Sequence, residues 1–168
     1  MRRQACLLAI LAVLHAAVPA AADESGFLKP LDGNWTGTGK ILREIGSSPI
    51  NVACKFNISA SSASISMKGN CRGLLIINRA ISAQLTARGN RYSGTYTGPS
   101  GATSQLSGSR QGDVISLAVR WARLVNGDRD ANMTIRRQGD SQLTLRTIDK
   151  NLSSGKSVVT SEINLRRQ

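Results

Sequence analysis

Asp128, Asp130 and Asn132 alternate within NGDRDAN (126–132), the spacing with which a calcium-binding loop begins. Such a loop needs Gly where Met133 stands and a closing Glu that is absent, and it does not tolerate a cation like Arg129 inside it. The stretch therefore reads as a solvated hairpin turn. As a glycosidase pair the two aspartates are also poor, because adjacent turn residues cannot flank a sugar across ~5–9 Å. Ser153-Ser154-Gly155-Lys156 fits S-x-x-K, but that acyl-transfer motif needs a helix to set Lys against Ser, and here it falls in a loop before a strand. Gly155-Lys156-Ser157 matches only the tail of a phosphate loop, since Lys150 stands where its first Gly belongs.

The single histidine, His15, lies in MRRQACLLAILAVLHAAVPAAADES at the N-terminus. Arg2 and Arg3 precede an apolar run from Cys6 to Val18, and Ala20-Ala21-Ala22 supplies small residues for cleavage before Asp23. This is the pattern of a secretory signal peptide over residues 1–22. Its apolar run is too short to span ~30 Å of hydrocarbon. After cleavage no histidine remains. Ser-His-Asp and Cys-His catalysis and histidine ligation of zinc or iron are then excluded. Cys6 leaves as well, so Cys54 and Cys71 remain, an even count that reads as one disulfide in an exported chain. With the thiols bridged there is no thiolate nucleophile. No metal or cofactor is expected.

Removing 22 of the 168 residues leaves 146, enough for one domain with a sizeable core. Residues 23–30 read as a lead segment and 31–168 as the domain. Period-two alternation recurs throughout it. Val52, Cys54, Phe56 and Ile58 share a face, as do Ile65, Met67, Gly69 and Cys71. So do Ile81, Ala83, Leu85 and Ala87, and Ile115, Leu117, Val119 and Trp121. Shorter rows contain Met133 and Ile135, Leu143 and Leu145, and Ile163 and Leu165. Turn signals lie between: ARGNR (87–91), RQGD at 110–113 and again at 137–140, with longer loops at 97–103 and 150–156. The fold class is all-β, a single antiparallel up-and-down barrel of about 8–10 strands, since closure removes exposed edges.

The cysteines test the register. If Cys54 faces Cys71, then Phe56 faces Gly69, Ile58 faces Met67 and Ala60 faces Ile65, with the turn at Ser62-Ala63. Every apolar residue then lands on one face. Ser62-Ala63 is weak turn chemistry, which leaves a longer loop and a register offset by two as the alternative. The bridge is worth roughly 3 kcal/mol by loop closure.

Basic residues are the remaining signal. Of 22 Lys and Arg, Arg2 and Arg3 go with the signal, leaving 20 against 10 acidic residues, a charge of +10. Outward parity collects Lys55, Lys68, Arg88, Arg120, Arg136, Arg146 and Arg166. Such a surface attracts polyanions, here anionic lipid head groups or acidic polysaccharide, with peripheral membrane contact. Nucleic acid is disfavoured because single-strand grooves need exposed aromatics, and the few present lie mostly at core parity.

Gly33-Asn34-Trp35, entering the first strand after a Pro-containing segment, resembles the G-x-W signature of the lipocalin or calycin superfamily. The resemblance implies that Trp35 plugs one barrel end under a basic side chain from the last strand, Arg166 or Arg167. More closely, residues 31–167 resemble a group of small exported alphaproteobacterial proteins of unknown function. The shared features are Gly33, Trp35, Gly37 and Gly39, the two-cysteine hairpin, Ser93-Gly94-Thr95-Tyr96, and a closing Ile163-x-Leu165-Arg166-Arg167. This implies a calycin-like barrel and a periplasmic or secreted location, and it transfers no catalytic residue.

The expected function is that of an exported, non-enzymatic envelope protein that binds an anionic envelope component or a small ligand within the barrel. The rival readings are a carboxylate-dependent hydrolase built on Asp128 or Asp130, and a purely structural envelope protein.

Overall fold

The computed structural model describes residues 24–73 and 77–168. The expected signal peptide lies outside the described residues. A short helix α1 (Ser25–Leu28) runs into a 3-10 turn (Lys29–Leu31). Ten strands follow: β1 (Gly33–Ile41), β2 (Ile50–Ala60), β3 (Ser64–Gly73), β4 (Ile77–Arg88), β5 (Arg91–Thr97), β6 (Thr103–Gln111), β7 (Val114–Val125), β8 (Asp128–Gln138), β9 (Gln142–Lys150) and β10 (Ser157–Arg167). Each pairs antiparallel with its sequence neighbour, and β1 pairs with β10 to close the ring. Closure leaves no unpaired edge. Both RQGD stretches close hairpins, β6–β7 and β8–β9.

The cysteine hairpin has the register in which Cys54 faces Cys71, Phe56 faces Gly69 and Ile58 faces Met67, and the disulfide is formed. The turn lies at 61–63, so the offset register does not occur. Inward rows carry the core: Val52, Cys54, Phe56 and Ile58 of β2 are all buried, and so are Ile115, Leu117 and Val119 of β7. On β1 the inward positions at Gly37 and Gly39 have no room for a side chain. A Cβ there would stand 1.9 Å from the Asn164 carbonyl oxygen and 2.2 Å from that of Glu162. The opening strand thus has glycine where β10 crosses closest, which lets the barrel close tightly at that seam.

Two irregularities interrupt the alternation. The β9–β10 register shifts between Val159 and Ser161, which turns Thr160 inward and buries it. The β7–β8 register shifts between Arg120 and Val125, where the hairpin leaves the ladder. An extra residue flips every later side chain to the other face, so these shifts decide which groups look into the barrel.

Candidate functional site

The two ends of the barrel are built differently. At one end lie the four short turns joining β2 to β3, β4 to β5, β6 to β7 and β8 to β9. The lead segment folds across this end and buries Phe27, Leu28 and Leu31. Trp35 is 1% exposed, and its Nε1 donates to the Leu31 carbonyl at 2.9 Å. The Arg167 guanidinium lies 4.7 Å above the Trp35 ring and also donates to the carbonyls of Asp140, Asp32 and Pro30. Arg166, the other expected partner, faces solvent beside Thr36. Strand parity separates the two: Arg167 shares the face of Ile163 and Leu165.

Next to this plug, the Phe27 ring is held between the Arg110 and Arg137 guanidinium groups, each 5.0 Å from its centre. Glu24, 3% exposed, accepts from Arg110 Nε at 2.6 Å and Nη2 at 2.8 Å. The Tyr92 hydroxyl also donates to Glu24. Burial first, and then the Glu24 carboxylate, pushes the Tyr92 pKa well above the ordinary tyrosine value. Its hydrogen bonds to the Glu24 carboxylate hold Arg110 protonated more firmly still. This end is a closed structural cap.

At the opposite end lie the β1–β2, β5–β6 and β9–β10 loops and the β7–β8 turn. Here many inward residues are only half-buried, among them Ile41, Ile50, Ile81, Ala83, Tyr96, Trp121, Met133 and Leu145. They are half-buried because they wall a cavity of about 640 Å³. Pockets that hold small molecules typically span ~300–1,000 Å³ and are mostly apolar. Tyr96 and Trp121 meet edge to face with ring centres 6.0 Å apart, forming one aromatic wall. Burial alone pushes the Tyr96 pKa up to about 12. A buried polar group interrupts the largely apolar lining. Asp149 is buried, accepts from Trp121 Nε1 at 3.4 Å, and takes the Thr160 hydroxyl hydrogen bond. The Ser104 hydroxyl nearby accepts the Ala122 backbone N–H at 3.1 Å. Sequence reasoning missed this group. Its signal was an acid, Asp149, continuing the inward row of Leu143 and Leu145.

The outward cations are spread around the ring. Lys55 and Lys68 stand on neighbouring β2 and β3, with Lys68 opposite Asn57. Arg88 sits where β4 turns into β5, facing Arg91. Arg120, Arg136 and Arg146 lie on β7, β8 and β9, separated from the lysines by β4–β6 on one side and by β1 and β10 on the other. Arg120 is tied to Asp130 at 2.8 Å, and Arg146 to Glu162 at 2.5 Å. Arg166 on β10 faces Thr36, which faces Lys55 in turn, so the two groups approach each other across β1. Parity tells inside from outside, but it does not tell position around the ring.

Asp128 and Asp130 do not meet a second acid in a cleft. Asp128 Oδ1 accepts the Asp130 backbone N–H, and the Asp130 side chain is 70% exposed against Arg120. Among the described residues no group of three or more His, Cys, Asp or Glu side chains is placed to hold a metal ion. Among the same residues no helix is long and apolar enough to cross a membrane.

Two solved structures share this architecture. Rv2717c from M. tuberculosis matches with a TM-score of 0.64 at 18% identity, covering 83% of this chain and 93% of that one. The S-type phycobiliprotein lyase CPES from Guillardia theta matches with a TM-score of 0.56 at 15% identity, covering 87% of this chain and 92% of that one. At such identities the likeness shows the fold alone. No protein-family model matches the sequence, and no curated protein matches it.

Proposed function

We propose that this chain is an exported, non-enzymatic binding protein that holds a small molecule in the apolar cavity at the open end of its barrel. The observation that carries the reading is the contrast inside one barrel. Inward residues at the plugged end pack to exclusion of solvent, whereas toward the other end many residues of the same rows stay half-buried around about 640 Å³ of space. A domain selected only for stability loses packing energy by leaving such a space, because unfilled volume forfeits dispersion contacts. Export is supported by the N-terminal sequence pattern and by the Cys54–Cys71 bridge. The lyase among the fold neighbours is an enzyme, but Asp128 and Asp130 here stand apart from the cavity and offer no acid–base pair.

The experiment is native mass spectrometry of the protein purified gently from the cells that make it, alongside an Ala83→Trp variant. Ala83 lies on the cavity wall opposite Tyr96 and Met67, so an indole there fills the space. A retained small molecule in the parent protein, lost in the variant, is the expected result. A bound molecule that survives Ala83→Trp overturns the cavity as its site.

A further inference from the structure

Three arginines stand at the open mouth. On β1 the row Gly37, Gly39, Ile41 is continued one step past the strand by Arg43. On β4, followed toward the mouth, Leu85, Ala83 and Ile81 lead to Arg79, opposite Cys71. On β7, Arg123 stands two residues past Trp121, within the register break, and borders the same cavity. Arg43, Arg79 and Arg123 all border the same cavity and are exposed. Among the described residues none of them forms an ion pair or a side-chain hydrogen bond. The nearby acids do not neutralise them. Asp149 is occupied by Thr160 and Trp121, and Glu44 pairs with none of them.

The plugged end shows what this arrangement does when it is filled. There too the inward rows finish in arginine: Gly108 to Arg110, Ile135 to Arg137 and Leu165 to Arg167. Those cations are engaged from within the chain by the Glu24 carboxylate and the rings of Phe27 and Trp35. An internal segment with an apolar body and a carboxylate fits that end. The open end presents the same combination, apolar rows finished by cations, with no segment among the described residues to fill it.

Building on the proposed cavity function, we infer that the ligand is a single-chain amphiphile. Its apolar chain lies in the cavity, and a carboxylate or phosphate head is held at the mouth by Arg43, Arg79 and Arg123. The head stays where water reaches it, so no charge is stripped of solvent inside an apolar space. Guanidinium groups match carboxylate and phosphate oxygens with paired N–H donors. A neutral head of the same chain length gains none of this.

The test titrates the purified, disulfide-intact protein with dodecanoate, dodecyl phosphate, 1-dodecanol and dodecylammonium, following Trp121 fluorescence at the cavity wall. An anion is expected to bind about tenfold or more tighter than the alcohol, a difference of ~1.4 kcal/mol or more. The ammonium is expected to bind weakest. The triple variant R43A/R79A/R123A should bring the anion down to the affinity of the alcohol and leave the alcohol unchanged, and R79A alone should give part of that loss. Whichever of carboxylate and phosphate binds tighter identifies the head group. Alcohol binding as tight as the anions, or anion binding unmoved by the triple variant, overturns the inference while leaving the cavity function intact. Binding of every probe that persists in Ala83→Trp overturns the cavity function itself, and this inference with it.

Discussion

At the end of the barrel where β1 begins, Arg110, Arg137 and Arg167 look inward and meet Glu24, Phe27 and Trp35. At the end where β1 finishes, Arg43, Arg79 and Arg123 stand at the mouth and meet no carboxylate or ring among the described residues. The residue type is the same and each set stands at one end of the barrel, but the consequence differs. With internal partners the cations become clamps that fasten a lead segment over the core. Without them they leave a positively charged entrance to an apolar space. An inward arginine in a small barrel is thus structural or functional according to what lies against its guanidinium, and its own identity does not decide the matter.

The widest separation between the ends is expected from one substitution made in both places. Trp35→Ala removes an almost wholly buried indole, its hydrogen bond to Leu31 and the surface on which Arg167 rests. A loss of ~3–5 kcal/mol in unfolding free energy follows from such truncations. Trp121→Ala opens a wall that already borders empty space, so its cost in stability should be less than half as large. The same change should weaken cavity binding, because one face of the aromatic wall goes. Denaturant unfolding of both variants checks the pair. Equal losses would mean that the open end is as tightly packed as the closed one, contrary to the structure.

The second comparison sets an engaged carboxylate against its surroundings. Glu24→Gln keeps the shape but removes the charge that satisfies Arg110 and receives the Tyr92 hydroxyl. Breaking one partner of a largely buried pair usually costs ~3–5 kcal/mol. Arg110 retains some access to water at 20% exposure, so a figure of ~2–3 kcal/mol is expected here. Thermal unfolding reads it. The same variant should make the lead segment more open to proteolysis than it is in the parent protein, with Phe27, Leu28 and Leu31 still holding it to the core.

Much of this architecture was legible in the chain before any coordinates. Period-two alternation marked the inward rows, and the two cysteines at matching parity pointed to the β2–β3 register that the hairpin has, with an offset by two left open. Trp35 stood out as a large apolar residue alternating with glycine, and β10 does need Gly37 and Gly39 to come so close. Other parts were hidden for physical reasons. Phe27, Leu28 and Leu31 span barely one helical turn, too short for a periodic signal, so the lead segment had no visible role. Glu24 looked like any residue after a cleavage site, because its partners, Tyr92 and Arg110, lie far along the sequence. The bulge at Thr160 breaks alternation, which concealed its bond to Asp149. Alternation also sorted Lys55, Lys68, Arg120 and Arg146 as outward without telling which side of the ring each occupies. Arg43 and Arg79 were visible all along as inward rows ending in a cation. Attention to outward cations alone passed over them.

The two tyrosines, one at each end, allow the comparison to be read by titration. Tyr92 is raised by burial and by the Glu24 carboxylate, Tyr96 by burial alone to about 12. An unfolded tyrosine loses its proton near pH ~10. Above that pH the unfolded chain holds fewer protons than the folded one, so stability falls as pH rises. The contribution is therefore fully present below pH ~10 and is lost as pH climbs toward the folded values. Tyrosinate absorbance of the native protein should stay flat through the range in which denatured protein titrates. Tyr92→Phe and Tyr96→Phe assign the two steps. Glu24→Gln should lower the Tyr92 step and leave that of Tyr96 in place. A native tyrosine titrating near its ordinary value would show that its hydroxyl is not held away from water.

The smallest expected effect falls on the mouth. Arg43→Ala, Arg79→Ala and Arg123→Ala each remove an exposed cation with no partner among the described residues, and changes of that kind usually lie within ~0.5 kcal/mol of zero. Arg110→Ala at the other end leaves Glu24 buried without its bidentate donor, and it should cost several times as much. Unfolding curves of the four variants, measured without added ligand, supply the test. Near-neutral values at the mouth beside a large one at the plug mean that the mouth arginines do not hold the fold together. Their place at the mouth is then explained by what the cavity admits. A large loss from any mouth arginine would reveal an internal partner and would make the two ends alike.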